Sequence, residues 1–494
     1  KFIIKNKLND TTFLIVLEYL EKAIERENAE AMFLMAAFLA DKDYGIFDPD
    51  KSIYYYNQSA SLGFLEAQLL LASIYDDPST AIYNPQKAFK FFEKAAKQGH
   101  PEGLYFYGEM LLNGRGTGAN FSAGAEAIMV SAEKGYAPAQ LLLAEIYTSG
   151  KGIQISESLS LKWLMASATQ KYQQAYYLLG ETLRRKAVSL EEIKEAIYWL
   201  ELAAANNEPK AQYALSKIYF DGEGISLDKV LGEKYLINAA ENGLPEAQFE
   251  FAKILEEKDG SNERIASLMI SAAESGFADA FKQAGLYLRN STKNSDREKG
   301  AFFLKQAADA GDGVSQLETA YNFDNGVGFP KNREKAIQYY KMSAKQGFVE
   351  AEMKLADAYN HGDGINTDFE LAFKYYKRAA EKGNVEASYN LGMLFQAGIG
   401  VPENIAEAIK WYENAALKGH VESQVSLGKV YTVGRQTLQD FERAHKWFNI
   451  AASKGHKKAT ILRNRLTSKL PSKVLLIAQK KARLCLESNY VQCR

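Results

Sequence analysis

Cysteine is almost missing from this chain: 494 residues contain two, Cys485 and Cys493, both in the last ten. A cysteine-free interior argues against a catalytic thiol and leaves the terminal pair as either a tail staple or two free thiols. On one continuous helix the eight-residue separation means roughly 12 Å of rise. A disulfide cannot span that distance, so a bridge requires the helix to end near Ser488 and Asn489 and the tail to turn back. Net charge is also lacking. Sixty basic and 61 acidic side chains leave −1, without the basic excess that a nucleic-acid binder uses to displace phosphate counterions. No run reaches the roughly 18 apolar residues that a membrane-spanning helix needs. Prolines number only ten, and no Pro-rich linker or charge block divides the sequence. The chain opens on Lys1 rather than Met, compatible with a removed signal peptide and equally with trimming.

What fills the sequence instead is repetition. The pentapeptide AAKQG, ending at Gly99, recurs in related form ending at Gly135, Gly243, Gly276, Gly311, Gly347, Gly383, Gly419 and Gly455. Gly63 closes an earlier copy, while Lys171 and Asn207 stand where glycine is expected. Successive marks lie 36 residues apart, with one interval of 33 (243 to 276) and one of 35 (276 to 311). The result is about twelve contiguous units, which replaces the two-to-four-domain expectation set by length.

Each unit reads as two helices. Fifteen residues before the closing mark stands a residue suited to cap a helix N-terminus: Asp48, Asn84, Asn120, Ser156, Asp228, Ser261, Asp296, Asn332, Asp368, Asn404 and Asp440, with Glu192 breaking the series. Seven residues past the cap the side chain is usually a ring, and all four tryptophans (Trp163, Trp199, Trp411, Trp447) occupy this slot. Such recurrence points to a core between repeats rather than to a cofactor box. The closing glycine suits a left-handed C′ position. The other helix follows it with Ala-x-x-x-Leu-Gly-x-x-Tyr spacing, as in ASYNLGMLF (387–395), an amphipathic stripe too small to form a core alone.

These units resemble Sel1-like repeats, relatives of tetratricopeptide repeats with a Gly-x-Gly turn between the helices. The turn is visible at GRGT (114–117), GKGI (150–153), GEGI (222–225), GVGF (326–329), GDGI (362–365) and GIGV (398–401). The resemblance implies an all-α, right-handed α-solenoid over residues 1–466. The remainder, 467–494, would be a capping helix and cysteine-containing tail like that of exported bacterial members. Functionally it implies a non-catalytic scaffold that captures a partner protein on its concave surface in a bacterial periplasm, with a cytoplasmic location as the alternative. An immunity protein neutralising a toxic effector and an envelope polysaccharide or peptidoglycan assembly factor are the alternative roles, the latter with a glycan ligand.

No enzyme, cofactor or metal site stands out. The Gly-x-Gly turns do not continue into a phosphate-binding loop, and their middle residues share no chemistry. Of five histidines, His100, His420 and His456 follow closing marks in different units, and neighbouring units are roughly 10 Å apart, too far for shared metal ligation. His361 and Asp363 read as exposed turn residues. The informative positions are those that the repeat leaves free. Six residues after the leading alanine of each first helix stand Glu109, Glu145 and Glu181, then Lys217 and Lys253. Two residues after it stand Tyr105, Tyr177, Tyr213, Phe249 and Tyr389. By analogy with tetratricopeptide repeats these face the concave side, forming an acidic rung and a basic one with ring-rich anchors for a protein partner.

Overall fold

A computed structural model describes residues 10–493 except Gly224, which belongs to one of the Gly-x-Gly turns, and Gln436. Among the described residues there are twenty-seven α-helices and two short 3-10 turns. The chain divides into two compact units, Lys1–Ala247 and Gln248–Arg494, with the division inside the helix Pro245–Glu257. Each is an all-helical repeat solenoid. The first opens with the helix Asp10–Ile24 and continues through six helix pairs, from Ala29–Ala40 with Pro49–Ser61 to Pro209–Asp221 with Lys229–Glu241. The second carries five complete pairs after Asn262–Glu274, the last being Val421–Val433 with Phe441–Ser453. Lys457–Thr467 and Ser472–Glu487 follow.

The second helices begin where the caps stand. Asp48, Asn84, Asn120, Asp228, Asn332, Asp368, Asn404 and Asp440 each accept from a backbone N–H three residues on. Two expected caps are displaced. Glu192 is the third residue of a capping box led by Ser189, and Asp296 lies inside the helix Asn294–Asp309, accepting from the Ser291 hydroxyl at 2.8 Å. Both helices run 16 residues instead of the usual 13, and in the first the capping box at Ser189 supplies the earlier start. Lys171 and Asn207 adopt the same left-handed backbone (φ 64° and 61°) as the glycines they replace.

The ring slot packs against clusters that run from one repeat to the next, as Trp163 and Trp411 do, and it also makes contacts inside the repeat. Phe91 stacks on Tyr75, Tyr235 on Tyr219, Tyr339 on Phe323 and Tyr375 on Tyr359, each ring partner lying within the same repeat at 5.7–6.0 Å. The next residue along fills the interior: Phe92, Ile128, Leu200, Tyr340, Tyr412 and Phe448 are buried. One step turns the side chain by 100° on a helix, which moves it from the flank of the pair to its centre. Opposite Tyr412 and Phe448 the first helix carries Gly392 and Gly428, where an added Cβ would meet the rings at 2.7 and 2.5 Å.

Stacking between repeats rests on two devices. The second glycine of the Gly-x-Gly turn abuts the preceding repeat: a Cβ on Gly116, Gly152 or Gly400 would fall 2.1 Å from the carbonyl oxygen of Pro85, Phe121 or Phe369. Positive φ and this backbone contact both require glycine. The other device is a buried amide one residue after the leading alanine. Gln68, Gln140, Gln212, Gln316 and Gln424 each donate to an alanine carbonyl eight residues back, on the second helix of the previous repeat. The oxygens of Gln68, Gln140, Gln212 and Gln316 accept from Gln98, Gln170, Asn242 and Gln346, each thirty residues on.

In one repeat the amide is replaced by an acid. Glu352 is fully buried and takes Arg378 at 2.6 Å and Lys382 at 2.9 Å. Arg378 donates to the Ala344 carbonyl that an amide would otherwise reach, and Lys382 donates to that of Gly347. Asp363, expected to be an idle turn residue, pairs with Arg333 of the preceding repeat at 3.1 Å, and His361 Nδ1 lies 2.8 Å from the Asp357 carbonyl oxygen. At the C-terminal end, Ser472–Glu487 stops at Ser488, and Asn489 and Tyr490 take positive φ. Cys485 and Cys493 are bonded, with Cα atoms 4.4 Å apart. The returning tail buries Lys446, whose Nζ donates to the Cys493 carbonyl at 2.8 Å; desolvation lowers that amine to about 8.

Glu352→Ala is expected to cost about 3 kcal/mol, because it strands two cations at a junction built around one buried carboxylate. Gly428→Ala should cost about 1–3 kcal/mol by overpacking against Phe448, outweighing the roughly 1 kcal/mol that alanine gains in helix propensity. Urea denaturation of each variant measures both.

Candidate protein-binding groove

The first helices of the first unit present two adjoining grooves. One, of about 380 Å³, lies between Pro101–Asn113 and Ala137–Ser149 and is lined by Tyr105, Glu109, Leu142, Glu145, Lys151 and Tyr172 among others. The other, of about 450 Å³, lies between Ala137–Ser149 and Gln174–Lys186, with Glu145, Leu164, Tyr177, Glu181 and Lys186 on its walls. Glu145 and Ser149 belong to both. Five of the ten candidate residues, Tyr105, Glu109, Glu145, Tyr177 and Glu181, therefore meet around one helix. Tyr213 and Lys217 occupy the next first helix, Pro209–Asp221, with the ammonium 5.0 Å from the ring centre. Phe249, Lys253 and Tyr389 belong to the second unit, where Lys253 lies over the Phe249 ring at 5.6 Å.

The acidic row differs in state from one member to the next. Glu109 is held by Arg115 at 3.4 Å, and Arg115 also binds Asp76 at 2.7 Å. Glu181 receives Arg184 through two nitrogens, at 2.9 and 3.2 Å, and the same guanidinium reaches Glu223 at 3.0 Å. Glu145 has neither hydrogen bond nor ion pair among the described residues. Its tip remains exposed while the groove walls strip water from its flanks, and this desolvation raises its carboxyl above the ordinary range. Burial, followed by the neighbouring Glu109 charge, pushes Tyr105 up to about 12, and burial also raises Tyr177. Both rings remain neutral phenols at physiological pH.

The rings are half-buried because each first-helix ring has a structural neighbour. Tyr105 meets Tyr136 edge-on at 5.5 Å, Phe249 meets Phe277 at 5.4 Å, and Tyr389 meets His420 at 4.9 Å. In each case the partner is the residue after the closing glycine. Sequence reasoning missed Tyr172 and the two arginines. Tyr172 falls in this same post-closing slot, which reads Phe64, Tyr136, Tyr172, Phe277 and Phe348 and was visible as a repeating ring. Arg115 is the variable middle residue of a Gly-x-Gly turn, and only folding brings it beside Glu109.

His100, His420 and His456 serve as N-caps, each accepting a backbone N–H at Nδ1. The Nε2 atoms of His420 and His456 lie 3.1 Å from Glu386 and Glu422. No cluster of three potential metal ligands occurs among the described residues, and no helix among them is long and apolar enough to cross a membrane.

The Sel1 repeat model matches residues 29–64, 65–100, 101–126, 137–172, 173–208, 209–244, 284–312, 313–348, 349–384, 385–420 and 421–456. This chain belongs to the Sel1 repeat family. Its members are generally non-catalytic adaptors, and the repeat scaffold is one typically used for protein–protein interaction. A twelfth helix pair, Pro245–Glu257 with Asn262–Glu274, lies outside the eleven matched Sel1 repeats, at the shortened 33-residue interval. Among solved structures the chain is similar to c5321, a protective antigen of uropathogenic Escherichia coli with an SLR fold. Identity is 24% over 96% of each chain, and the TM-score is 0.45. It is similar to a Sel1 repeat protein from Oxalobacter formigenes at 26% identity, covering 62% of this chain and 90% of that one, with a TM-score of 0.37. It is also similar to the immunity protein PA5088 from Pseudomonas aeruginosa at 22% identity, covering 43% and 81%, with a TM-score of 0.28. No curated protein matches the Sel1 repeat chain.

Glu145→Gln is expected to leave stability unchanged or slightly raised, within about 0.5 kcal/mol, whereas Glu181→Ala should cost about 1 kcal/mol through its arginine. Because the native Glu145 carboxyl binds its proton more tightly than the unfolded one, any advantage of glutamine is present at neutral pH. It disappears as pH falls through the raised pKa. Urea titrations at neutral and acid pH test both statements.

Proposed function

We propose that this protein is an adaptor that holds a partner protein against the first-helix face of its first unit. The observation that carries the reading is the meeting of two grooves at Glu145, between Tyr105 and Tyr177. A carboxylate with no partner, kept in a partly desolvated place, does nothing for folding. Positions that break a local rule without a structural gain are where function is expected. Half-buried tyrosines beside it supply rigid, amphipathic contact area with little side-chain entropy to lose, the usual chemistry of interface anchors. The setting we propose is a bacterial periplasm. The Cys485–Cys493 bond supports it, since such bonds persist in oxidising compartments and are rare in the cytosol.

The test is binding of a partner isolated from the periplasm of the source cell, measured with purified components. Tyr105→Ala with Tyr177→Ala should weaken it at least tenfold, and Lys162→Ala, on a second helix, should leave it unchanged. Equal affinity for all three proteins would defeat the reading, as would saturable binding of soluble peptidoglycan fragments in place of any protein.

A further inference from the structure

The three glutamates of the first-helix face do not offer three equivalent charges. Glu109 and Glu181 are each paired from within, by Arg115 and Arg184, and because both arginines are shared with a second acid, Asp76 and Glu223, each cluster keeps one net negative charge. Three cations line the two grooves, of which Arg185 stands near the Glu157 carboxylate. Lys151 lies over the Phe121 ring at 5.1 Å, and Lys186 binds Glu157 at 3.0 Å. Of the three glutamates, Glu145 is the one with no hydrogen bond or ion pair among the described residues, and it stands at the ridge between two cavities.

Resting on the adaptor reading, we propose that Glu145 is the receptor for a single lysine or arginine side chain on an extended segment of the partner. A carboxylate with no internal donor gains most from a charge-assisted hydrogen bond to a cation. The walls complete such a site: Tyr105 and Tyr172 on one side and Tyr177 on the other offer ring faces to the cation or to its aliphatic stem.

The rest of the segment follows from the spacing of the helices. Neighbouring packed helices lie roughly 8–10 Å apart, and an extended chain advances about 3.3 Å per residue. Side chains alternate along an extended chain, so when a segment crosses the helix Ala137–Ser149 with its basic residue on Glu145, the side chains two positions away point the same way and fall about 7 Å off, over the two grooves. Leu141 and Leu142 line one groove, and Leu164 and Leu178 line the other. The recognition pattern is apolar-x-Lys/Arg-x-apolar in extended conformation. Acidic segments are disfavoured at the same place by like charge.

A phage-displayed library of random twelve-residue peptides, selected on the intact protein, tests this directly. Selected peptides that compete for the groove should share one basic residue flanked by apolar residues two positions away. Glu145→Gln, and separately norleucine in place of that basic residue, should each weaken binding at least tenfold. The two changes together should cost little more than either one, because they remove the same contact. Groove-binding peptides without a basic residue, or peptides indifferent to Glu145→Gln, would overturn the receptor role and leave the docking face standing. Failure to select any peptide sensitive to Tyr105→Ala with Tyr177→Ala would remove the docking face as well.

Discussion

A buried side-chain amide, repeated along the chain, is the contact on which the stacking depends. Gln140 shows the geometry: its nitrogen donates to the Ala132 carbonyl of the preceding repeat, and its oxygen accepts from Gln170 at the end of its own second helix. Three helix segments are thereby tied at one point out of water, where a hydrogen bond is strong and a missing one is costly. Two helices cannot bury enough apolar surface to stand alone. The amide fixes how each pair meets the next, so the apolar stripes of successive repeats run on as one interior. Serines of the second helix add a tie inside the repeat, as Ser131 does to the Pro101 carbonyl and Ser167 to that of Ala137.

The Glu352 junction shows that the geometry matters more than the chemical group. An acid at the amide position is accommodated because Arg378 and Lys382 supply the lost donors and reach the same backbone carbonyls. The Gly-x-Gly turn follows the same logic from the backbone side. At Gly116, Gly152 and Gly400 the second glycine lies against a backbone carbonyl of the repeat before it, a packing role in place of a phosphate-binding one. With junction, interior and turn all assigned to stacking, the outer row of the first helices is where we propose recognition.

Along that row the repeat gives equivalent positions to side chains in different electrical states. Glu109, Glu145 and Glu181 occupy one register, yet two are paired to arginines from turn and helix-end positions and the third is not. On the face proposed for a partner, Glu145 is the carboxylate without an ion pair among the described residues, and tyrosines flank it. Such a surface selects through position as much as through affinity.

The period, the helix pairs, most caps and the left-handed closing positions were legible in the sequence, because each is a local matter of residue type and spacing. Asn84 caps its helix wherever that helix lies, and the left-handed backbone at the closing mark is imposed even on Lys171 and Asn207. The candidate groove residues were also named from the sequence, since the repeat marks the positions that packing leaves free. The sequence did not disclose which rings pack inside a repeat, that Ser189 displaces Glu192 as a cap, or that histidines end up capping helices. Above all, it did not show which of three identical glutamates lacks a partner. Arg115 is six residues from Glu109, and Glu223 is 39 from Arg184. Charge compensation acts through space over a few ångströms, and only the folded chain brings those groups within that range.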